Sequence, residues 1–191
     1  MSMTILVAAD IFGDTEDLRT LAASLNDRFR LVSPYARRQP VASEADAYAW
    51  FQASGGIAAY ADKVAHCMVQ APPDALIGFS AGATAGWLAL SKEDAPAVGL
   101  GILFYGSRIR DYPDRRPRCP VRLIFAEHEP AFDVGRLADT LAAGGMAVDV
   151  WRGCRHGFMN RRSPGYDAAA RKRGVTLVRA ALAEMAPQRR R

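Results

Sequence analysis

The sequence predicts an α/β fold with a mostly parallel, six-stranded sheet between two layers of helices. Short apolar runs alternate with longer amphipathic segments along the chain. With 191 residues, of which 50% are hydrophobic, the chain is long enough to bury a large core and too apolar to be disordered. The sequence has no internal repeat, low-complexity segment or linker. We therefore expect one domain over residues 1–191, in which 187–191 form a disordered basic tail.

Six apolar runs have the length of buried strands, and they lie at residues 4–9, 29–33, 75–79, 98–105, 121–126 and 146–151. The second run ends at Pro34, which has no backbone N–H to continue a ladder. The fourth precedes residues 108–120, whose internal prolines predict a loop. Because helical segments separate most of these runs, the strands are expected to be parallel.

Segments with apolar residues at helical spacing occupy residues 15–29, 43–54, 56–70, 81–91, 134–145 and 163–185. The first has acidic residues in its first turn, where the helix dipole favours carboxylates. The fourth consists mainly of small residues and follows its strand directly. The fifth ends at two glycines, which favour the termination of a helix.

Composition excludes several classes of function. The net charge of +5 falls to +2 without the terminal arginines 189–191, because 22 basic residues then face 20 acidic ones. The remaining arginines lack the interleaved aromatic residues of a nucleic-acid binder. No apolar run approaches the roughly 20 residues that span a bilayer, and the N-terminus has no signal-peptide pattern. We expect neither a nucleic acid nor a membrane as a partner.

Cysteines and metal ligands are sparse. Cys67, Cys119 and Cys154 are far apart and form no CxxC pair, so a disulfide framework and a zinc module are both disfavoured. This usage favours a cytoplasmic location. No histidine and carboxylate cluster has ligand spacing, and we expect no metal and no cofactor.

Ser80 is the candidate nucleophile. In an open parallel sheet the ligand lies beyond the carboxyl ends of the strands, and Gly78-Phe79-Ser80-Ala81-Gly82 follows the third run. In a G-x-S-x-G turn between strand and helix, the serine hydroxyl projects above the sheet and the glycines allow close packing. The alternative interpretation is that Ser80 only caps a helix.

A serine nucleophile needs a base and an orienting acid, which follow it along the chain in this arrangement. His156 comes after the last strand and is the candidate base, whereas His66 lies within a predicted helix and His128 in the acid-bearing turn. Glu129, at the end of the fifth strand, is the preferred acid. Asp133 is the alternative, although it is also placed to begin the next helix.

Two backbone N–H groups are expected to bind the oxyanion, namely those of Ala81 and of Ile11 in the loop after the first strand. Cys154 is a weaker alternative nucleophile, because it has neither the sharp turn nor a helix N-terminus. Aromatic side chains and one arginine are candidate walls of the substrate pocket: Tyr35, Arg37, Tyr48, Trp50, Phe79, Tyr105 and Phe158.

Four segments together resemble the dienelactone hydrolase family of α/β-hydrolases, and they are Asp10-Ile11-Phe12-Gly13, the turn around Ser80, the acid turn around Glu129, and His156-Gly157-Phe158 with the following Ser163-Pro164-Gly165-Tyr166. The resemblance covers nearly the whole chain in order. It implies the α/β-hydrolase fold and a serine hydrolase of small esters, thioesters or lactones. In the family, a loop glutamate near the nucleophile matches Asp10.

The chain also departs from that family. Its founding members carry cysteine where this chain has Ser80, and their two carboxylate-binding arginines correspond to Glu44 and Asn160. The candidates to replace this arginine clamp are Arg37, Arg155 and Arg161. The chain begins at the family's third strand, so we expect a minimal member without the N-terminal hairpin, as a monomer or a homodimer. The alternative hypothesis is a binding or regulatory protein without catalysis.

Overall fold

The strands form one all-parallel sheet. The structure, a computed structural model, describes residues 3–39, 41 and 43–188. The strand order across the sheet is β2-β1-β3-β4-β5-β6. The strands are β1 (Ile5–Ala8), β2 (Phe29–Val32), β3 (Ala75–Phe79), β4 (Leu100–Phe104), β5 (Val121–His128) and β6 (Ala147–Arg155). The predicted α/β class and its six strands are confirmed.

Helices cover both faces of this sheet. They are α1 (Glu16–Leu25), α2 (Glu44–Ala53), α3 (Gly56–Gln70), α4 (Ala81–Leu90), α5 (Val134–Ala143) and α6 (Ala168–Gln188). Buried residues of α1 and α6 pack on one face, and those of α3, α4 and α5 pack on the other. Along β3, Leu76 packs with the residues of α3, α4 and α5, whereas Ile77 and Phe79 pack with those of α1 and α6. Side chains alternate between the two faces of a strand in this way. The result is three layers.

Helix α6 begins later than predicted and extends further. Residues 163–167 form turns in which Tyr166 donates its N–H to the Ser163 carbonyl, and the Asp167 carboxylate accepts the N–H of Ala170 at 2.8 Å. Because such a side chain caps a helix, α6 starts at Ala168. Of the predicted disordered tail at 187–191, residues 187–188 belong to α6, and residues 189–191 lie outside the described residues.

The other differences lie where strands end. Strand β5 continues to His128 and β6 continues to Arg155, because the two strands pair with each other beyond the predicted ends, with an irregularity after Ala126. The predicted loop after β4 contains a short 3-10 helix, Ser107–Asp111. Among the described helices, none combines the length and the apolar composition that a membrane-spanning helix needs.

The order of the strands determines where a site can form. Strand β2 lies on one side of β1 in the sheet, and β3, the next strand along the chain, lies on the other side of β1. The loops after β1 and β3 therefore leave the sheet in different directions and open a crevice between them. Ser80 directly follows β3 at this crevice.

Gly82 lies where α4 approaches β1 most closely. A Cβ atom at Gly82 would lie 2.3 Å from the Ala8 carbonyl oxygen and 2.4 Å from that of Ala9. Because backbone atoms cannot yield as a side chain does, Gly82→Ala is expected to lower the free energy of unfolding by about 3 kcal/mol. Urea denaturation measures this change. The matched control is Gly135→Ala in α5, where the added methyl meets only the Asp133 carboxylate at 3.4 Å; an equal loss in both variants would contradict the close approach.

Candidate active site

Ser80 occupies a strained turn between β3 and α4. Its φ is 50° and its ψ is −114°, in a region that costs a non-glycine residue roughly 1–3 kcal/mol. Two backbone hydrogen bonds hold it there, since Ser80 N–H donates to Phe104 O at 3.0 Å and Ser80 O accepts from Thr84 N–H at 3.1 Å. Strain of this kind, imposed by the surrounding fold, is typical of functional positions.

Ser80, His156 and Glu129 form a chain of two hydrogen bonds. Ser80 Oγ lies 2.8 Å from His156 Nε2, and His156 Nδ1 lies 2.8 Å from Glu129 Oε1. The Glu129 side chain is 3% exposed and the His156 side chain 27%. A buried carboxylate at Nδ1 keeps a proton on that nitrogen and leaves Nε2 free to accept the serine proton.

The pairing of β5 with β6 brings the acid and the base together. His128 aligns with Arg155, so that Glu129 and His156 each follow their strand by one residue. Asp133, the alternative acid, is the N-cap of α5, where its carboxylate accepts the Arg136 N–H at 3.0 Å. The structure thus places Glu129 at the imidazole and Asp133 at a helix end.

The loop that carries His156 is held by local contacts. Ser163 Oγ donates to the His156 carbonyl at 3.1 Å, and Gly157 has a φ of +79°, which favours glycine. A Cβ atom at Gly165 would lie 2.1 Å from the same carbonyl oxygen. The Tyr105 ring packs edge-on against the imidazole, with ring centroids 5.2 Å apart.

Ala81 and Ile11 offer backbone N–H groups beside Ser80. Ala81 is the first residue of α4, a position whose N–H has no acceptor within the helix. The Asp10 carbonyl accepts the Gly13 N–H at 3.0 Å and so fixes the peptide plane between Asp10 and Ile11. Because the C=O and N–H of a trans peptide point in opposite directions, the Ile11 N–H is aimed away from that turn.

Asp10 is a buried carboxylate behind these groups. Its Oδ1 accepts the Phe12 N–H at 2.9 Å, and its Oδ2 accepts the side-chain amide of Asn160 at 2.5 Å. Burial raises the pKa of Asp10 to about 6, although both hydrogen bonds and the nearby His156 oppose the shift.

A cavity of about 330 Å³ opens at Ser80. Ile11, Ala81 and His156 also line it, and its further walls include Glu44, Tyr48, Phe51, Ser107, Arg108 and Arg110. A second cavity of about 650 Å³ shares Glu44 and His156 with the first. Of the predicted pocket residues, Tyr48 lies in the lining and is half exposed.

The remaining predicted pocket walls are not in the lining of that cavity, and the prediction for them is corrected. Phe79, Tyr105 and Phe158 are buried in the core, because they pack against one another and against Phe104. The Tyr35 hydroxyl donates to the carbonyls of Ile11 and Ala47, and thus supports the loop after β1. Arg37 lines a separate surface cavity beside Tyr35, and Trp50 is half exposed outside the lining.

Sequence reasoning missed the part of the wall that follows β4. Arg108 and Arg110 lie in the 3-10 helix of the segment predicted to be a loop. The rule that ligands lie beyond the carboxyl ends of strands was the available signal, since this segment follows β4 directly.

The three arginines considered as replacements for the family's carboxylate clamp lie in different places. Arg37 is away from the Ser80 cavity, and Arg155 lines the second cavity. Arg161 lies 3.6 Å from the Asp17 carboxylate. Among the side chains that the structure describes, no group of three histidine, cysteine or acidic residues is arranged to hold a metal ion.

Comparisons with known proteins agree with this fold. Residues 3–185 match the sequence model of the dienelactone hydrolase family. YczH of Bacillus subtilis (strain 168), described as an uncharacterized protein, is 35% identical over 106 residues, which cover 54% of this chain and 51% of YczH. The chain thus spans about half the length of this curated relative.

Two solved structures resemble the chain in fold. One, from Klebsiella pneumoniae subsp. pneumoniae MGH 78578, is assigned as a dienelactone hydrolase. It has a TM-score of 0.70 and 18% identity, over 94% of this chain and 86% of that one. The other is P91, a dienelactone hydrolase-like promiscuous phosphotriesterase from metagenomic libraries, with a TM-score of 0.70 and 18% identity over 96% and 88% of the two chains. At these identities the likeness concerns the α/β-hydrolase fold.

Proposed function

Since this chain belongs to the dienelactone hydrolase family, we propose that it is a serine hydrolase of small esters, thioesters or lactones. Membership supports a hydrolase in general terms. The observation that supports the serine mechanism is the pair of 2.8 Å contacts that link Ser80 to His156 and His156 to Glu129. This arrangement has the roles and distances of a nucleophile, a base and an orienting acid.

In the first half of the proposed reaction, Ser80 Oγ attacks the acyl carbon of the substrate. Its proton passes to His156 Nε2, and the Glu129 carboxylate stabilises the imidazolium that results. The negative charge moves to the carbonyl oxygen, where the N–H groups of Ile11 and Ala81 stabilise it. Collapse of this intermediate breaks the bond to the leaving alcohol or thiol, which takes the proton from His156, and leaves an acyl group on Ser80.

In the second half, water attacks the acyl group on Ser80. His156 Nε2 removes a proton from the water as the new bond forms, and the same N–H groups stabilise the second oxyanion. Collapse releases the carboxylic acid, and His156 returns the proton to Ser80 Oγ. The enzyme is then restored without a change in oxidation state.

The cavity at Ser80 favours a small acyl group. Its volume of about 330 Å³ lies near the lower end of the roughly 300–1,000 Å³ found for ligand pockets. Apolar atoms of Tyr48, Phe51 and Ile57 contribute to the walls. An acetyl or butyryl group can pack against these side chains, whereas a long chain exceeds this volume and reaches beyond these walls.

A series of p-nitrophenyl esters tests the proposed function. We expect kcat/KM to be highest for acetyl to butyryl esters and at least about tenfold lower for the decanoyl ester, since binding energy that is not realised in the pocket does not assist the reaction. Initial rates of p-nitrophenol release measure this, with simple lactones assayed in parallel and the Ser80→Ala variant as the background. A preference for the decanoyl ester would contradict the small-substrate assignment, and no turnover of any member would contradict the hydrolase itself.

A further inference from the structure

Two loops supply the groups that surround Ser80, and one buried hydrogen bond joins them. The loop after β1 carries Ile11, and the loop after β6 begins at His156. Between them, Asn160 Nδ2 donates to Asp10 Oδ2 at 2.5 Å. Asp10 is 7% exposed and Asn160 9%, so water cannot easily replace the bond if one partner is changed.

Each partner in this bond also holds the backbone of its own loop. The other oxygen of Asp10, Oδ1, accepts the Phe12 N–H at 2.9 Å. The side-chain oxygen of Asn160 accepts the Arg162 N–H at 2.8 Å, and the Asn160 N–H donates to the Gly157 carbonyl at 2.8 Å. A displacement of either side chain would therefore shift the backbone of its loop.

A second contact links the same two loops, between the exposed Arg162 and the buried Phe12. The Arg162 guanidinium lies over the Phe12 ring, 5.3 Å from its centroid. This contact lies one residue beyond the Ile11 N–H on one loop and six residues beyond His156 on the other. Of these two contacts between the loops, the Asn160–Asp10 bond is the one in which both partners are buried.

We propose, on the basis of the function proposed above, that the Asn160–Asp10 hydrogen bond is a positioning device for the hydrolysis. It holds the Ile11 N–H and the His156 imidazole in a fixed relation to Ser80, so that proton transfer and oxyanion stabilisation occur in one geometry. Asn160 and Asp10 are positioning residues, because they act through Ile11 and His156.

The bond in this form requires an ionised Asp10, since both carboxylate oxygens act as acceptors. The groups that face or influence Asp10 are Asn160, Phe12, His156, Asp17, Tyr35, Tyr60 and Tyr105. Burial raises the pKa of Asp10 to about 6. As the pH falls through that value, Asp10 gains a proton, one oxygen becomes a donor, and the link between the loops weakens. The positioning is therefore present above about pH 6 and lost below it.

Isosteric exchanges of amide and carboxylate test the proposal. Asn160→Asp retains the oxygen that accepts the Arg162 N–H, but it places two carboxylates against each other. Asp10→Asn places two amide donors against each other. We expect kcat for p-nitrophenyl acetate to fall about 10- to 100-fold in each variant, as displaced catalytic groups do, with KM little changed.

The double variant Asp10→Asn/Asn160→Asp exchanges the two partners. The amide at position 10 then donates to the carboxylate at position 160, while Phe12 and Arg162 keep their acceptors. We expect kcat to recover to within about threefold of the original enzyme, because the two changes are coupled through one bond. A requirement for a negative charge at position 10 would instead leave the double variant as impaired as Asp10→Asn.

The pH profile of Asn160→Asp gives a readout that a loss of stability would not produce. Two adjacent carboxylates share one proton at intermediate pH, and that proton re-forms a hydrogen bond between them. We expect the kcat of this variant to rise as the pH is lowered from about 9 to about 7, an interval in which the original enzyme shows no such rise. A profile parallel to that of the original enzyme would contradict the proposal.

Asn26→Asp is the matched control, because the Asn26 amide donates to the Met3 carbonyl at 3.1 Å, near the amino end of β1. Its kcat should equal that of the original enzyme.

Full kcat in either single variant at pH 9, or failure of the double variant to recover, overturns the inference. If a single variant does not fold, the double variant must restore both folding and kcat. If the original enzyme itself hydrolyses no ester, the proposed function and this inference fail together, whereas turnover that depends on Ser80 with unaffected variants rejects the inference alone.

Discussion

Ser80→Ala is expected to lower kcat for p-nitrophenyl acetate by roughly 10⁴- to 10⁶-fold, the loss typical when the nucleophile of a coupled triad is removed. The variant lacks the oxygen that attacks the acyl carbon, while the N–H groups of Ile11 and Ala81 stay in place. Steady-state rates with a chromogenic ester measure the loss. The melting temperature should not fall, because Oγ makes its contact with His156 and none that caps α4.

Ser91→Ala is the matched control for this substitution. Ser91 follows the other end of α4, where its hydroxyl donates to the Trp87 carbonyl at 2.8 Å. It should leave kcat unchanged. If Ser80→Ala retains turnover, the nucleophile is another group, and Cys154→Ala becomes the next variant to assay, since Cys154 was the alternative that the sequence left open.

Glu129→Gln is expected to lower kcat by about 10³- to 10⁴-fold with little change in KM. The amide can donate a hydrogen bond to Nδ1 and so favours the tautomer with the proton on Nε2, which then cannot accept the serine proton. The amide also provides no negative charge to stabilise the imidazolium. Because Glu129 is nearly buried, with 3% of its side chain exposed, solvent does not replace that charge.

Asp133→Asn separates the two acids that the sequence left as alternatives. Asp133 caps α5 through the Arg136 N–H, and asparagine caps a helix about as well as aspartate. Both kcat and the melting temperature should therefore remain close to those of the original enzyme. The reverse pattern, in which Asp133→Asn is inactive and Glu129→Gln is active, would mean that the loop after β5 rearranges in solution and delivers Asp133 to His156.

The fold was predictable because its strands are short and clearly separated from one another along the chain. Each apolar run in the sequence is bounded by a polar segment or a proline, and the structure confirms all six strands. The ends of β5 and β6 were not predictable, because most of the residues that extend them are polar or exposed, and the one buried residue, Cys154, forms no apolar run with its neighbours. These residues are ordered by pairing between the strands and by the Glu127 carboxylate, which accepts the Gly153 N–H at 2.7 Å.

The positions of Ser80, Glu129 and His156 were predictable from the order of the chain, since each follows a strand and parallel strands end at the same edge of the sheet. Their catalytic roles stay a prediction. The pocket walls were less predictable, because an aromatic residue near the site in sequence can point into the core. Phe79 illustrates this, since it adjoins Ser80 along the chain but stacks on Phe104 with ring centroids 5.4 Å apart.

The contribution of Arg108 and Arg110 illustrates the opposite error. Prolines at 113 and 117 favour a loop, but they do not exclude a short helix before them. The Trp87 indole donates to the Tyr112 carbonyl at 3.1 Å and Ile109 is buried in the core, so tertiary contacts hold this 3-10 helix against α4. Such contacts lie far apart in sequence and leave no local pattern.

Fluorophosphonate labelling distinguishes a catalytic Ser80 from an inert one, because the probe reacts covalently with a serine whose hydroxyl is activated by an adjacent base. We predict stoichiometric labelling that peptide mass mapping assigns to Ser80 and that disappears in His156→Ala. Absence of labelling in the folded protein, or a label at another residue, would contradict the serine hydrolase assignment. Absence would instead favour a binding or regulatory protein that keeps the turn around Ser80 without catalysis.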